Sequence, residues 1–261
     1  MNLVRMVLPI RLLDFDRSYQ QQTFFQNRPA DRLSLTDVPQ SRRLCERLAL
    51  ETIRARLAAC APALVTFIGS NHYHYVTALL LQAIREPFVL VLFDHHADFY
   101  PSPAPDLISC GSWLRNVLDE LPLLQQALVL GAGRDPRTSR LARRWGGRLV
   151  MVDEQQLMRD QAVKAFLGRH VAGRAVYVSI DKDVLDPGEA VTAWDQGHVR
   201  LDQLTGLIRQ VRSMARLIGC DVCGEADLDP LTPPSLADQV LDRNNRANAA
   251  ILDAIGKSGK L

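Results

Sequence analysis

The sequence predicts a three-layer α/β/α domain with a mainly parallel central sheet. Three observations carry that prediction. Short apolar runs recur along the chain as continuous blocks, the pattern of strands buried on both faces of a parallel sheet. Longer stretches with helical spacing lie between them, and repeated strand–helix units imply right-handed crossovers that cover both faces. No Gly/Ser-rich linker, internal repeat or low-complexity block interrupts the alternation, so the 261 residues read as one domain, 1–261.

Each element has a local reason. A helix is expected over 41–59, ahead of a first strand at 63–68, Ala-Leu-Val-Thr-Phe-Ile, rich in β-branched and aromatic side chains. A helix over 75–84 leads to the apolar run 88–93, and the Pro-rich stretch 101–105 that follows is a loop. A helix at 112–118 precedes strands at 127–130 and 148–152. Asp153 stands where an N-cap belongs, opening a helix over 154–168. Strands at 175–180 and 215–221 bracket a helix at 201–213, and Ser235 is the expected N-cap of a last helix over 235–255.

Composition narrows the function. The chain is 47% hydrophobic and 23% charged, as a soluble folded chain is, and 31 basic against 29 acidic residues give no electrostatic basis for binding nucleic acid. No apolar run reaches the roughly 18 residues of a membrane span. The apolar start is interrupted by Arg5 and Arg11 and lacks a small-residue cleavage site, so a cytoplasmic protein with a small-molecule substrate is expected. Five cysteines, an odd number, suit a reducing compartment.

In open α/β sheets ligands gather at the carboxyl ends of strands. Three such ends are rich in ligand-type residues. After 88–93 comes Asp94-His95-His96-Ala97-Asp98, in which Asp94, His96 and Asp98 point to one side while the chain stays extended. After 175–180 comes Asp181-Lys182-Asp183, with Asp181 and Asp183 sharing a face. After 63–68 comes Gly69-Ser70-Asn71-His72-Tyr73-His74, where one histidine can complete a shell. Carboxylates with imidazoles suit Mn²⁺, and ligand type leaves Zn²⁺ and Fe²⁺ open. Four aspartates outweigh the charge of one divalent ion, which argues for two ions sharing bridging carboxylates. Cys220 and Cys223 form a Cys-x-x-Cys with no partner pair, so buried apolar thiols are the favoured reading there, with Cys110 and Cys223 both bordering a metal pocket as the alternative.

These residues resemble the ureohydrolase family, the arginase and agmatinase group, in the form of a small divergent member. Its Asp-x-His-x-Asp motif matches Asp94, His96 and Asp98, and its Ser-[Phe/Ile]-Asp-x-Asp-x-x-Asp-Pro motif matches 179–187 at every fixed position. The resemblance runs from about 65 to 230. It implies an arginase-like eight-stranded parallel sheet, a binuclear manganese centre of two ions per chain, and hydrolysis of a guanidino or amidino C–N bond. One ion is then expected on a histidine of the third cluster with Asp94, Asp98 and Asp181, the other on His96, Asp94, Asp181 and Asp183. Direct alignment of the family's Gly-Gly-Asp-His-Ser turn selects His72, and a two-residue shift selects His74, the favoured choice. Asp98 is the expected acceptor and relay for the attacking water. Ser109-Cys110-Gly111 stands where the family has a proton-transferring His-Gly, making Cys110 a candidate catalytic residue. Glu225, one position later than the family's substrate-side glutamate, is a candidate catalytic and substrate-binding acid; Trp194 and Asp195, in a loop unlike the family's, are candidates for substrate binding. Family members are often oligomers, which makes a homo-oligomer an expectation. The rival readings are an amide or deacetylase-type metal hydrolase on the same fold, and a catalytically degenerate member with a binding or regulatory role.

Overall fold

A computed structural model describes residues 9–229 and 231–256; residues 1–8, on which the reading of the chain start partly rests, lie outside the described residues. The strands are β1 (Ile10–Asp14), β2 (Ala30–Ser34), β3 (Leu44–Glu46), β4 (Val65–Ser70), β5 (Phe88–Phe93), β6 (Leu107–Ser109), β7 (Leu124–Leu130), β8 (Leu149–Val152), β9 (Ala175–Asp181) and β10 (Arg216–Glu225). The helices are α1 (Arg47–Ala58), α2 (Val76–Gln82), α3 (Trp113–Glu120), α4 (Pro136–Ala142), α5 (Glu154–Leu157), α6 (Asp160–Val171), α7 (Leu201–Met214) and α8 (Pro234–Gly256).

Eight strands form one sheet in the order β2-β1-β4-β10-β9-β5-β7-β8, and every pairing in it is parallel. All eight carboxyl ends therefore lie along one edge. Alternate residues of a strand serve opposite layers. Val89, Val91 and Phe93 of β5 pack with α6, α7 and α8, whereas Phe88, Leu90 and Leu92 pack with α1, α2 and α3. That division is the three-layer α/β/α arrangement expected from the continuous apolar runs.

The departures from expectation have local causes. The stretch expected as one helix from residue 41 begins with β3, which pairs antiparallel with β6, and only then turns into α1. The helix expected over 154–168 is two, α5 and α6, separated at Met158 and Arg159. Asp153 does cap α5: its side chain accepts from Gln156 N at 2.9 Å while the Gln156 side chain accepts from Asp153 N at 3.0 Å. Ser235 lies inside the first turn of α8, which starts at Pro234, a residue suited to that turn. Strands β1 and β2 were not expected. Among the described residues, no helix is long and apolar enough to cross a membrane.

Candidate metal centre

Four adjacent strands, β4, β10, β9 and β5, deliver the site. Phe93 is level with Ile180, and Asp181 is level with Cys223, so the residues that leave β5 and β9 meet beyond the sheet edge. His74 arrives from the turn after β4. Its Nδ1 lies 3.1 Å from Asp98 Oδ2, 3.4 Å from Asp94 Oδ2 and 3.4 Å from Asp181 Oδ2. Beside this group, His96 Nδ1 lies 2.9 Å from Asp183 Oδ2 and 3.6 Å from Asp94 Oδ1. The six side chains thus form two abutting clusters, His74 with Asp94 and Asp98, and His96 with Asp94 and Asp183; Asp181 joins His74 from the other side.

An extended strand face does not by itself bring Asp94, His96 and Asp98 together. β5 stops at Phe93, and Asp98 adopts φ +53°, a left-handed conformation uncommon outside glycine. The turn back, not a strand face, carries Asp98 to His74. Trp113, which the sequence reading passed over, pins Asp98 by donating from Nε1 to Oδ2 at 2.6 Å. Asp183 likewise lies in the short turn after β9, where its N–H donates to Asp181 Oδ1 at 2.9 Å.

Electrostatics make the cluster demanding. All four aspartates are buried. Burial, with the charges of Asp98 and Asp183, holds the Asp94 carboxyl well above the usual carboxylate range, and burial with Asp183 pushes Asp181 up to about 6. At His74, burial alone lowers the imidazole, but its contact with Asp98 and the charges of Asp98, Asp181 and Asp94 outweigh it and raise the group to about 10. His74 Nδ1 and Asp94 Oδ2 are buried without hydrogen-bond partners. Buried acids in excess, with an unpartnered ring nitrogen facing an unpartnered carboxylate oxygen, form a donor set that fits divalent cations.

Outer partners orient these donors. His74 Nε2 is 3.1 Å from Ser179 Oγ, which donates to Asp221 Oδ1 at 2.7 Å, leaving Nδ1 for the cluster. Asn71, also missed as a site residue although it sits in the quoted turn, donates to Asp181 Oδ1 and to Asp183 Oδ2. The Cys223 thiol donates to Asp181 Oδ2 at 3.2 Å, so this cysteine borders the cluster and is not merely an apolar filler.

His72 points elsewhere. Its Nδ1 accepts from Trp194 Nε1 at 3.1 Å and its Nε2 faces Asp227 at 3.6 Å, outside every cluster. A cavity of about 170 Å³ adjoins the acids, walled by Asn71, Tyr100, Cys110, Gly111 and Trp194. The Cys110 thiol is pushed up to about 12 by burial and by the charges of Asp98 and Asp181. Asp195 is exposed at the mouth, with Oδ1 3.2 Å from His96 Nε2.

Glu225 does not fill the role expected of it. It is buried away from that cavity, and both oxygens are taken. Oε1 accepts from Lys182 Nζ at 2.5 Å and Asn248 Nδ2 at 2.8 Å; Oε2 accepts from Gln22 Nε2 at 2.7 Å and Asn244 Nδ2 at 3.1 Å. The cause is local. Gly224, at φ +97°, stands level with the cluster, and a Cβ there would lie 2.8 Å from Asp181 Oδ1. The bulge at this point turns Glu225 toward Lys182, whose side chain is fully buried on the far side of the Asp181–Asp183 turn.

Comparison with known proteins places the chain among its relatives. An uncharacterized protein of Thermotoga maritima is 32% identical over 191 residues, 73% of this chain and 67% of that protein. N(1)-aminopropylagmatine ureohydrolase of Thermus thermophilus is 30% identical over 191 residues, 70% of this chain; the chain spans only 59% of that enzyme's length. The structure of arginase from Bacillus caldovelox superposes with TM-score 0.69 over 98% of this chain and 100% of that one, at 13% identity, a likeness of fold alone. The sequence profile of the Arginase family matches residues 16–229. With the parallel eight-stranded sheet and the acids at its edge, that match shows that the chain belongs to the arginase family.

Proposed function

We propose that the chain is a binuclear-manganese hydrolase that cleaves a C–N bond of a guanidino or amidino compound. One observation carries the reading: the buried His74, Asp94, Asp98, Asp181 and Asp183 and the half-buried His96 converge as metal-type donors at the strand edge, four carboxylates against two imidazoles. His74, Asp94, Asp98 and Asp181 would hold one ion, and His96, Asp94, Asp181 and Asp183 the other. Such ions supply Lewis-acid polarisation and a water acidic enough to ionise near neutral pH.

The protein's own groups do the rest. Trp113 fixes Asp98 so that one carboxylate oxygen faces His74 and the cavity, where it accepts a proton from the attacking water. Ser179 and Asp221 keep the His74 ring from rotating, and Asn71 holds Asp181 and Asp183 in register. Tyr100, Cys110, Gly111 and Trp194 enclose the trigonal carbon and limit access of bulk water. Cys110 is a wall in this reading and not the proton carrier. The homologous ureohydrolase of Thermus thermophilus, by its name, cleaves a guanidine, which favours that class over the amide and deacetylase alternative.

The test is turnover of the manganese-loaded protein on a panel of guanidines, formimino compounds and amides, with urea, ammonia and carboxylate release followed separately. Urea or ammonia from a guanidino or amidino compound, abolished by chelation and restored by Mn²⁺, supports the reading. Release of carboxylate from amides alone would favour the deacetylase-type alternative, and full metal loading without turnover would favour a binding role.

A further inference from the structure

We propose that Arg43 is a specificity-determining residue that holds an anionic group, a carboxylate on the tail of the substrate, at the mouth of this cavity. The inference rests on the hydrolase reading above and names the substrate class within it. Three independent observations converge on Arg43.

The first is what the cavity lacks. Every carboxylate lining it belongs to the acid cluster, and the remaining walls, Asn71, Tyr100, Cys110, Gly111 and Trp194, are uncharged. A cationic tail finds no acid there. Glu225, at the end of β10, is neutralised by Lys182 and saturated by three amides. Asp195, the acid on the rim, faces His96 at 3.2 Å and His95 at 4.0 Å.

The second is where Arg43 is held. It adopts φ +65°, a left-handed conformation that is unfavourable for an arginine. Its backbone ties the two sides of the cavity together: Arg43 N donates to His72 O at 3.1 Å, and Arg43 O accepts from Cys110 N at 3.3 Å. The residue is thus anchored between the turn that carries His74 and the wall that carries Cys110.

The third is the state of its guanidinium. Its carbon lies 5.7 Å from the centre of the Trp194 ring, a cation–π placement on a wall of the cavity. Among the described residues no carboxylate pairs with it, whereas its neighbour Arg42 is paired with Asp227. An exposed guanidinium oriented by an aromatic face, unpaired beside walls that carry no charge outside the metal-type cluster, is suited to bidentate capture of a carboxylate.

The test uses three guanidines with one reacting group and one four-carbon tail: 4-guanidinobutanoate, butylguanidine and 4-aminobutylguanidine. Each is measured on the manganese-loaded wild type, Arg43→Gln and Arg43→Lys, by KM where it is turned over and by calorimetric Kd where it is not. Thermal melting confirms that the variants fold. The wild type is expected to favour the anionic tail over the neutral one by about tenfold or more, and over the cationic one by a larger factor. Arg43→Gln should bring the anionic-to-neutral ratio close to one, and Arg43→Lys should keep part of it. Preference for the cationic tail, a ratio unmoved in Arg43→Gln, or no binding of 4-guanidinobutanoate at 10 mM would each overturn the proposal. The ranked binding without turnover of any of the three would sink the hydrolase reading and leave the role of Arg43 standing.

Discussion

Replacing Lys182 by methionine keeps the length of a side chain that is fully buried and removes the cation 2.5 Å from Glu225. Breaking a buried pair in this way costs about 3–5 kcal/mol, because the surviving charge is left uncompensated. Here Gln22, Asn244 and Asn248 still donate to Glu225, which places the cost at the lower end, about 3 kcal/mol. For a chain of this size each kcal/mol shifts the midpoint by about 2–4 °C, so Lys182→Met should melt roughly 6–12 °C below the wild type. Lys182→Met combined with Glu225→Gln removes the orphan charge and should recover about 2 kcal/mol of the loss. Urea unfolding of the wild type, both single variants and the double variant measures the coupling, provided the slopes agree. A loss under about 1 kcal/mol for Lys182→Met, or a double variant no more stable than the worse single one, would refute the assignment of Glu225 to Lys182.

Other perturbations bear on the same geometry. Elemental analysis should find that Asp181→Ala retains neither ion, and that His74→Ala loses metal while His72→Ala, whose side chain faces Trp194 and Asp227, retains two equivalents. Gly131→Ala places a Cβ 2.5 Å from Val184 Cγ2 and 3.2 Å from Asp94 O at a φ of +105°, and should cost about 2 kcal/mol or more in urea unfolding. The Arg56 guanidinium beside Asp37 holds its carboxyl at about 2, below the ordinary 3.8. The contribution of Asp37 is therefore complete above the unfolded value and lost as pH falls through about 2, so Asp37→Asn should converge with the wild type at the acid end of a stability–pH curve. A difference that instead widened below pH 3 would contradict the sign.

Much of the site was legible because strand ends in a parallel sheet all open on one edge, so ligand-type residues after separate apolar runs must converge. Asp94, Asp181 and His74 follow runs whose strandedness was plain from their β-branched content. What stayed hidden was set by the backbone beyond the strands. The left-handed turn at Asp98 brings it back to His74, and nothing in Ala-Asp-Phe announces that φ. The bulge at Gly224 moves Glu225 out of the cavity, so position in a motif misassigned its partner; a lysine between two motif aspartates was the available clue. Strand β2 escaped for a different reason. Ala-Asp-Arg-Leu-Ser is an edge strand with mostly exposed side chains, held in register by β1 and not by its own hydrophobicity. Likewise β3 is a short pairing with β6 some sixty residues away, at the head of a stretch whose own spacing is helical.

Anomalous scattering from crystals grown with Mn²⁺ measures the centre itself. Two peaks per chain are predicted, both within bonding distance of the Asp94 and Asp181 carboxylates, with His74 on one and His96 on the other. A single peak, peaks that share neither aspartate, or scattering only at the protein surface would contradict the account.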